Sequence, residues 1–252
     1  MRRIVSLVPS MTETICRLGA GRLLVGVTRY CTEPAGELQH VPRIGGTKNP
    51  ELEQIAALQP DLVVVNGEEN RAEHIAWLRQ RSPVLEHLPK TVLQAADAVR
   101  DLACALDRLD AAQPLLSAID AQIEAAEAAS RRHALVRVFY AIWKRPWMSV
   151  NGDTYIHDVL TRAGAINVCA AAMARYPDVD PALVRDAGAQ LVLLSSEPYA
   201  FADADCTAVI SAATFGEQVQ VLLCDGRDYC WHGARTAEGL GRAVALLEPL
   251  RA

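Results

Sequence analysis

A short helix followed by a wholly apolar strand occurs twice in this sequence, 129 residues apart, on either side of a long stretch built for helix. The first copy, Gln59-Pro60-Asp61-Leu62-Val63-Val64-Val65, resembles the second, Gly188-Ala189-Gln190-Leu191-Val192-Leu193-Leu194. A strand that is apolar at every position has both faces covered, as in a parallel sheet flanked by helices. Each copy leads into a loop that contains a glutamate, Glu68 in one and Glu197 in the other. Between them, Ala111 to Arg132 is rich in Ala, Glu, Gln and Leu, with Pro114 as its main breaker, and predicts one long helix. Repeat and spacer together predict two related α/β lobes: an N-terminal lobe over 1–108, a linking helix over 109–133 and a C-terminal lobe over 134–252.

The local signals fill in this plan. Ile4–Val8 reads as a first strand, and Ser10-Met11-Thr12-Glu13 as a capping box that opens a helix ending at Gly19. Leu23–Val27 reads as a strand. Asn49-Pro50 predicts the cap and first residue of a helix with an apolar face at Leu52, Ile55, Ala56 and Leu58. Helices over 71–81 and 92–106, with a strand over 84–88, complete the first lobe. In the second, strands are predicted at 136–142, 191–194 and 219–224, and helices at 155–163, 182–187, 204–212 and 236–247.

Composition removes several classes of function. Acidic and basic residues are interspersed at a net charge of −5, without the basic face of an electrostatic nucleic-acid binder. No apolar run reaches the ~18 residues of a membrane helix. Met1-Arg2-Arg3 leads straight into the first strand with no leader-like stretch behind it. Two expectations follow: a cytoplasmic protein if Met1 is the native start, or a periplasmic or membrane-anchored one whose leader has been removed. The seven cysteines, an odd number with no Cys-x-x-Cys, read as small hydrophobes in a reducing compartment. There is no phosphate loop, no Gly-x-Gly-x-x-Gly and no Gly-x-Ser-x-Gly elbow. Cys31, His157, Cys230 and His232 are potential ligands whose spacing fits no zinc motif. Neither a catalytic residue nor a protein-bound metal is assigned.

Ligands of parallel α/β sheets bind beyond the carboxyl ends of the strands, which directs attention to the loops there. Eleven of the thirteen aromatic residues lie after residue 138. Trp143, Trp147, Tyr199, Tyr229 and Trp231 fall in predicted rim loops, where they make either a broad ligand face or ordinary loop packing. In Asn66-Gly67-Glu68-Glu69-Asn70, Asn70 reads as a helix cap, while Glu68 and Glu69 serve either a ligand or the next helix. The segment 225–235 is the richest in polar groups. Arg235 is expected to bind an acidic ligand group or to pair with Asp225, and His232 to be a structural residue or a ligand to a bound metal centre. An enzyme would draw on His232, Asp225, Cys31 or Glu68.

Three runs carry a family resemblance: Ile4-Val5-Ser6-Leu7-Val8-Pro9-Ser10-Met11-Thr12-Glu13, Val25-Gly26-Val27-Thr28-Arg29-Tyr30, and Pro50-Glu51-Leu52-Glu53-Gln54-Ile55 through Pro60-Asp61-Leu62-Val63. They resemble the helical-backbone metal receptors, the substrate-binding proteins of ABC importers for cobalamin, haem and iron–siderophores, and among these the cobalamin binders most. The resemblance implies the class III substrate-binding fold, two Rossmann-like lobes joined by one long α-helix, with a planar ligand or metal chelate held in an interlobe cleft. It implies a corrinoid as first choice of ligand. It implies ligand contacts from Tyr30, from loops near Trp143 and Trp147 and from the 225–235 loop; with the loop reading above, the expected site comprises Tyr30, Glu68, Trp143, Trp147, Tyr199, Asp225, Trp231, His232 and Arg235. It also implies docking on a permease through one surface glutamate per lobe. Glu53 matches the first, whereas Ala182 stands at the second, with Asp178 and Asp180 nearby. Tryptophans that the resemblance leads one to expect near Thr47 and Asn66 are absent. Import receptor and intracellular carrier or sensor are the two resulting expectations; the alternatives are an enzyme or a binder of a metal-free organic ligand.

Overall fold

The computed structural model describes residues 2–251; the expectation attached to Met1 lies outside them. The described residues hold two four-stranded parallel sheets. The first contains β1 (Ile4–Ser6), β2 (Leu24–Val27), β3 (Leu62–Asn66) and β4 (Val84–His87), in spatial order β2-β1-β3-β4. The second contains β5 (Val136–Ala141), β8 (Ala165–Asn167), β9 (Leu191–Ser195) and β10 (Gln220–Cys224), in the order β10-β9-β5-β8. Read in chain order, the two sheets have one topology: the first strand central, the second outside it, the third and fourth on the other side. The repeat seen in the sequence is therefore a repeat of architecture. A small antiparallel hairpin, β6 (Trp143–Lys144) and β7 (Trp147–Met148), interrupts the second sheet's plan and had no signal in the sequence.

Both sheets are covered on each face. In β3, Val63 and Val65 join Val5, Leu7, Ile55, Ile75 and Leu78 in one core. Val64, which alternation turns to the opposite face, is equally inaccessible. In β9, Val192 and Leu194 join Phe139, Phe201, Val209 and Phe215. The helices supplying these side chains are α2 (Leu52–Ala57) and α3 (Ala72–Arg79) in the first lobe, and α7 (Pro181–Asp186) and α8 (Asp203–Ser211) in the second. Full burial of such a side chain contributes about 1.5–3 kcal/mol, so the repeated apolar strands are each lobe's principal anchors.

The long α-helix α5 runs from Leu109 to Arg132 and absorbs Pro114 near its start. At 1.5 Å per residue it is about 36 Å long. The chain divides into two compact units. One comprises residues 2–89, Leu93–Ser117 and His232–Arg235; the other comprises Lys90–Val92, Ala118–Trp231 and residues 236–251. Each half of the sequence thus contributes a short piece to the unit formed mainly by the other half.

Two helix starts differ from expectation. Helix α1 spans Pro9–Arg17 with Val8 as its cap, so Ser10 lies inside it and makes no capping bond. Proline suits the first helical position, having a fixed φ and no N–H to satisfy, and it moves the start ahead of the capping-box residues. Helix α2 begins at Leu52 instead of following an Asn49 cap. Residues 45–50 form a tight loop first, with the Gly46 amide donating to the Asn49 carbonyl and Glu51 to Ile44. Gly45 sits at φ +88°, where a Cβ would meet the Asn49 carbonyl at 2.6 Å. The helix ends at Gly19 (φ +69°) and Gly164 (φ +94°) follow the predicted pattern.

Candidate ligand-binding site

In the first lobe, the carboxyl-edge loops are closed by polar bonds. Asn70 is buried and caps no helix: its Oδ1 accepts the Asn66 amide at 2.9 Å, and its Nδ2 donates to the Thr47 carbonyl at 2.9 Å. Helix α3 starts after Arg71 without a side-chain cap. Asn66 Oδ1 accepts the amides of Glu68 and Glu69, so these two residues are fixed by backbone bonds. Lys48 Nζ donates to the Glu68 carbonyl. Cys31 is buried, and its Sγ lies 3.1 Å from Thr12 Oγ1 and 3.2 Å from Thr28 Oγ1. Burial pushes its thiol pKa up, which removes the thiolate a nucleophile needs. Tyr30 is half-exposed, with the Arg29 guanidinium 5.2 Å from its ring centroid.

The segment His232–Arg235 belongs to this first unit. Arg235 pairs with Glu13 (Nε–Oε2 3.1 Å), both nearly inaccessible, and Glu13 also binds Arg17 at 2.9 Å. The Ala234 amide donates to Thr14 Oγ1 at 3.0 Å. The proposed Asp225–Arg235 bridge is therefore replaced by two others, since Asp225 pairs with Arg227 at 2.8 Å. The reason is local: the short helix α9 (Arg227–Cys230) turns Arg227 back onto Asp225, whose Oδ1 accepts the Arg227 amide. His232 is buried, and its pKa is pushed down to about 3, first by desolvation and then by His87. The imidazole is therefore neutral and enclosed near neutral pH.

In the second lobe, the carboxyl-edge loops are aromatic. Trp143 meets Tyr199 edge-on at 5.2 Å, Tyr199 meets Phe201 at 4.6 Å, and Trp147 stacks on Phe201 at 5.9 Å. Trp147 also meets Phe215 at 5.0 Å, and Phe215 meets Phe139 of β5 at 5.0 Å. Six rings thus run from a strand in the core to Trp143, which is 40% exposed. Lys144 Nζ stands 5.1 Å from the Tyr199 centroid and is bound to Asp205, an ion pair that raises the lysine pKa and lowers the aspartate's. Trp147 is consumed in core packing, and Trp231 is buried with its Nε1 donating to Glu197 Oε2 at 2.9 Å. Trp143 and Tyr199 are left as the ring surface the second lobe offers, and Tyr30 is an exposed ring of the first.

Glu197 is the residue that loop inspection passed over, although the repeat marks it as the counterpart of Glu68. The remaining potential ligands are dispersed: His157 contacts Asn167 and Thr161, and Cys230 contacts Glu197. Among the described residues no three His, Cys, Asp or Glu side chains gather as a metal site.

Fold and site together define a binding scaffold, and comparison gives it a family. The chain belongs to the periplasmic binding protein family, whose profile matches residues 4–207. The vitamin B12-binding protein of Vibrio parahaemolyticus is 31% identical over 182 residues, 71% of this chain and 65% of that one. That of Salmonella typhimurium is 30% identical over 178 residues, 70% of this chain and 66% of that one. The match thus spans about two thirds of these relatives' length. Among solved structures, the periplasmic heme-binding protein RhuT from Roseiflexus sp. RS-1 superposes with a TM-score of 0.84 at 24% identity, over 98% of each chain. The periplasmic vitamin B12 binding protein BtuF of Vibrio cholerae gives 0.82 at 22%, over 98% of this chain and 97% of that one. These likenesses establish the fold: two α/β lobes with parallel sheets joined by one long helix.

Proposed function

We propose that this protein is a non-catalytic receptor for a planar metal chelate, with a corrinoid such as cobalamin as first choice. The observation that carries the reading is the Trp143–Tyr199 edge, an exposed aromatic surface held in place by four further rings. A pre-positioned ring face loses little side-chain freedom on binding, which favours a large flat ligand. Tyr30 would add a second, smaller face and Glu68 a backbone-fixed polar group. The vitamin B12-binding relatives support the corrinoid. Haem is the second reading, supported by the heme-binding proteins that share the fold.

Placement and partners belong to the same proposal. The family's periplasmic members favour a leader-removed, extracytoplasmic protein over a cytoplasmic one. Glu53 is exposed in the first turn of α2 and suits docking on a permease. At the matching position of α7 stands Ala182, and Asp180 caps that helix by accepting the Ala182 amide at 2.8 Å. Docking would therefore lean on the first lobe. Calorimetry and absorbance titration against cobalamin, haemin, a ferric siderophore and a metal-free aromatic test the reading. Saturable heat with a spectral shift for cobalamin is expected; silence towards every chelate contradicts it.

A further inference from the structure

We infer that Glu197 is a specificity-determining acceptor of the ligand site, selecting uncharged hydrogen-bond donors such as side-chain amides over carboxylates. The inference rests on the chelate-receptor reading above and goes further, because it separates an amide-rimmed corrinoid from haem with its propionates.

Glu197 lies just past β9, two residues before Tyr199. Its backbone is pinned. Tyr140 Oη donates to Ser195 Oγ at 2.9 Å, and that hydroxyl donates to the Glu197 carbonyl at 2.7 Å. The β10 loop closes on it at Gly226, where a Cβ would come within 2.7 Å of the Glu197 nitrogen and 2.8 Å of its Cβ. Only glycine admits that approach. The carboxylate is equally fixed: Oε2 accepts Trp231 Nε1 at 2.9 Å and lies 3.4 Å from Cys230 Sγ. Among the described residues, Oε1 accepts no hydrogen bond and no cation pairs with Glu197. One oxygen is therefore held while the other stays available, which is the arrangement of a pre-organised acceptor.

The surrounding charges decide what it accepts. Lys144 is bound to Asp205, Arg227 to Asp225 at 2.8 Å, Arg242 to Asp228 at 2.5 Å and Arg175 to Asp153 at 2.8 Å. Arg145, at the turn of the β6–β7 hairpin, is the exposed cation left over in that loop. A ligand carboxylate beside Glu197 meets like charge that Arg227, the one nearby cation acting on Glu197 and itself bound to Asp225, offsets only in part, whereas an amide N–H meets a charged acceptor. Burial raises the Glu197 pKa, opposed by the Trp231 and Cys230 bonds and by the charge of Arg227, while Asp225 adds to the rise.

The test is titration of the full chain and of Glu197→Gln with cyanocobalamin and haemin, alongside thermal melts of both proteins. The glutamine keeps an acceptor for Trp231 and turns a donor outward. Expected is a loss of about tenfold or more in cobalamin affinity, as for a site built around a specific hydrogen bond, with haemin affinity unchanged or improved. In parallel the unaltered protein is titrated with the polycarboxylate made by hydrolysing cobalamin's side-chain amides, which should bind at least about tenfold more weakly. This arm stands even if the variant fails to fold. Cobalamin and its polycarboxylate binding alike, or a folded variant that keeps parental cobalamin affinity, overturns the inference alone. A parent that binds haemin and not cobalamin also overturns it, and a parent that binds neither removes the receptor reading with it.

Discussion

The two lobes share a strand order and a repeated helix–strand unit, yet they finish their carboxyl edges by different chemistry. After β3 the first lobe ties its loop with amides: Asn66 and Asn70 hold each other, Glu68, Glu69 and Thr47. After β9 the second lobe seats a glutamate on an indole and lines its edge with rings. Glu68 and Glu197 occupy the same place in the repeat, and each backbone amide is held by a side chain two residues before it, Asn66 or Ser195; Glu197 is also held through its carboxylate, by Trp231. Scaffold and site are thus separable: buried strands dictate topology, while the loops beyond them are free to diverge.

Five substitutions would break or sharpen that contrast. The largest effect is expected from Phe215→Ala, which removes a ring touching both Phe139 and Trp147 at 5.0 Å. Chemical denaturation should show a loss of about 3–5 kcal/mol. A loss below about 1 kcal/mol would mean that the ring ladder is not a structural unit. Next, Arg235→Ala leaves Glu13 buried with Arg17 alone, and should cost about 3 kcal/mol in the same assay. A neutral result would show that the captured 232–235 segment does not stabilise the first unit.

Acid sensitivity comes third. Folded His232 binds a proton only near pH 3, whereas the unfolded chain binds one below about pH 6.5. Between these values the unfolded state holds more protons, so its contribution to stability is complete above about pH 6.5. It declines by up to about 1.4 kcal/mol per unit as the pH falls towards 3. Melts at pH 6.5 and 5.5 should differ, and His232→Gln should flatten that difference; an unchanged slope in the variant would assign it elsewhere. The smallest effects are on binding. Trp143→Ala should weaken cobalamin by about tenfold, roughly 1.4 kcal/mol, and Tyr30→Ala by about threefold. The reverse ranking in titration would move the principal ligand face to the first lobe.

Much of the scaffold was legible because its causes are local. Val63–Val65 and Val192–Leu194 announce buried strands by their lack of alternation, and Gly19 and Gly164 stop helices at positive φ. The helix Thr236–Leu247 has the bounds its sequence predicts. Misreadings arose where a neighbour overrode a motif, as Pro9 did to the Ser10–Glu13 box and Gly45 did to Asn49-Pro50. The site was less legible for a different reason. Arg235 and Glu13 are 222 residues apart, and no local pattern announces such a pair. Trp143 and Trp147 look alike in sequence, but hairpin register sends one outward and the other onto Phe201. Glu197 had one signal, its repeat relation to Glu68.

Hydrogen–deuterium exchange with and without cyanocobalamin tests the account most directly. It predicts ligand protection concentrated in the second lobe's loops at 142–150, 196–202 and 225–231, with weaker protection around Tyr30. Saturating ligand that leaves those loops unprotected, or protects only the Asn66–Asn70 loop, would contradict it.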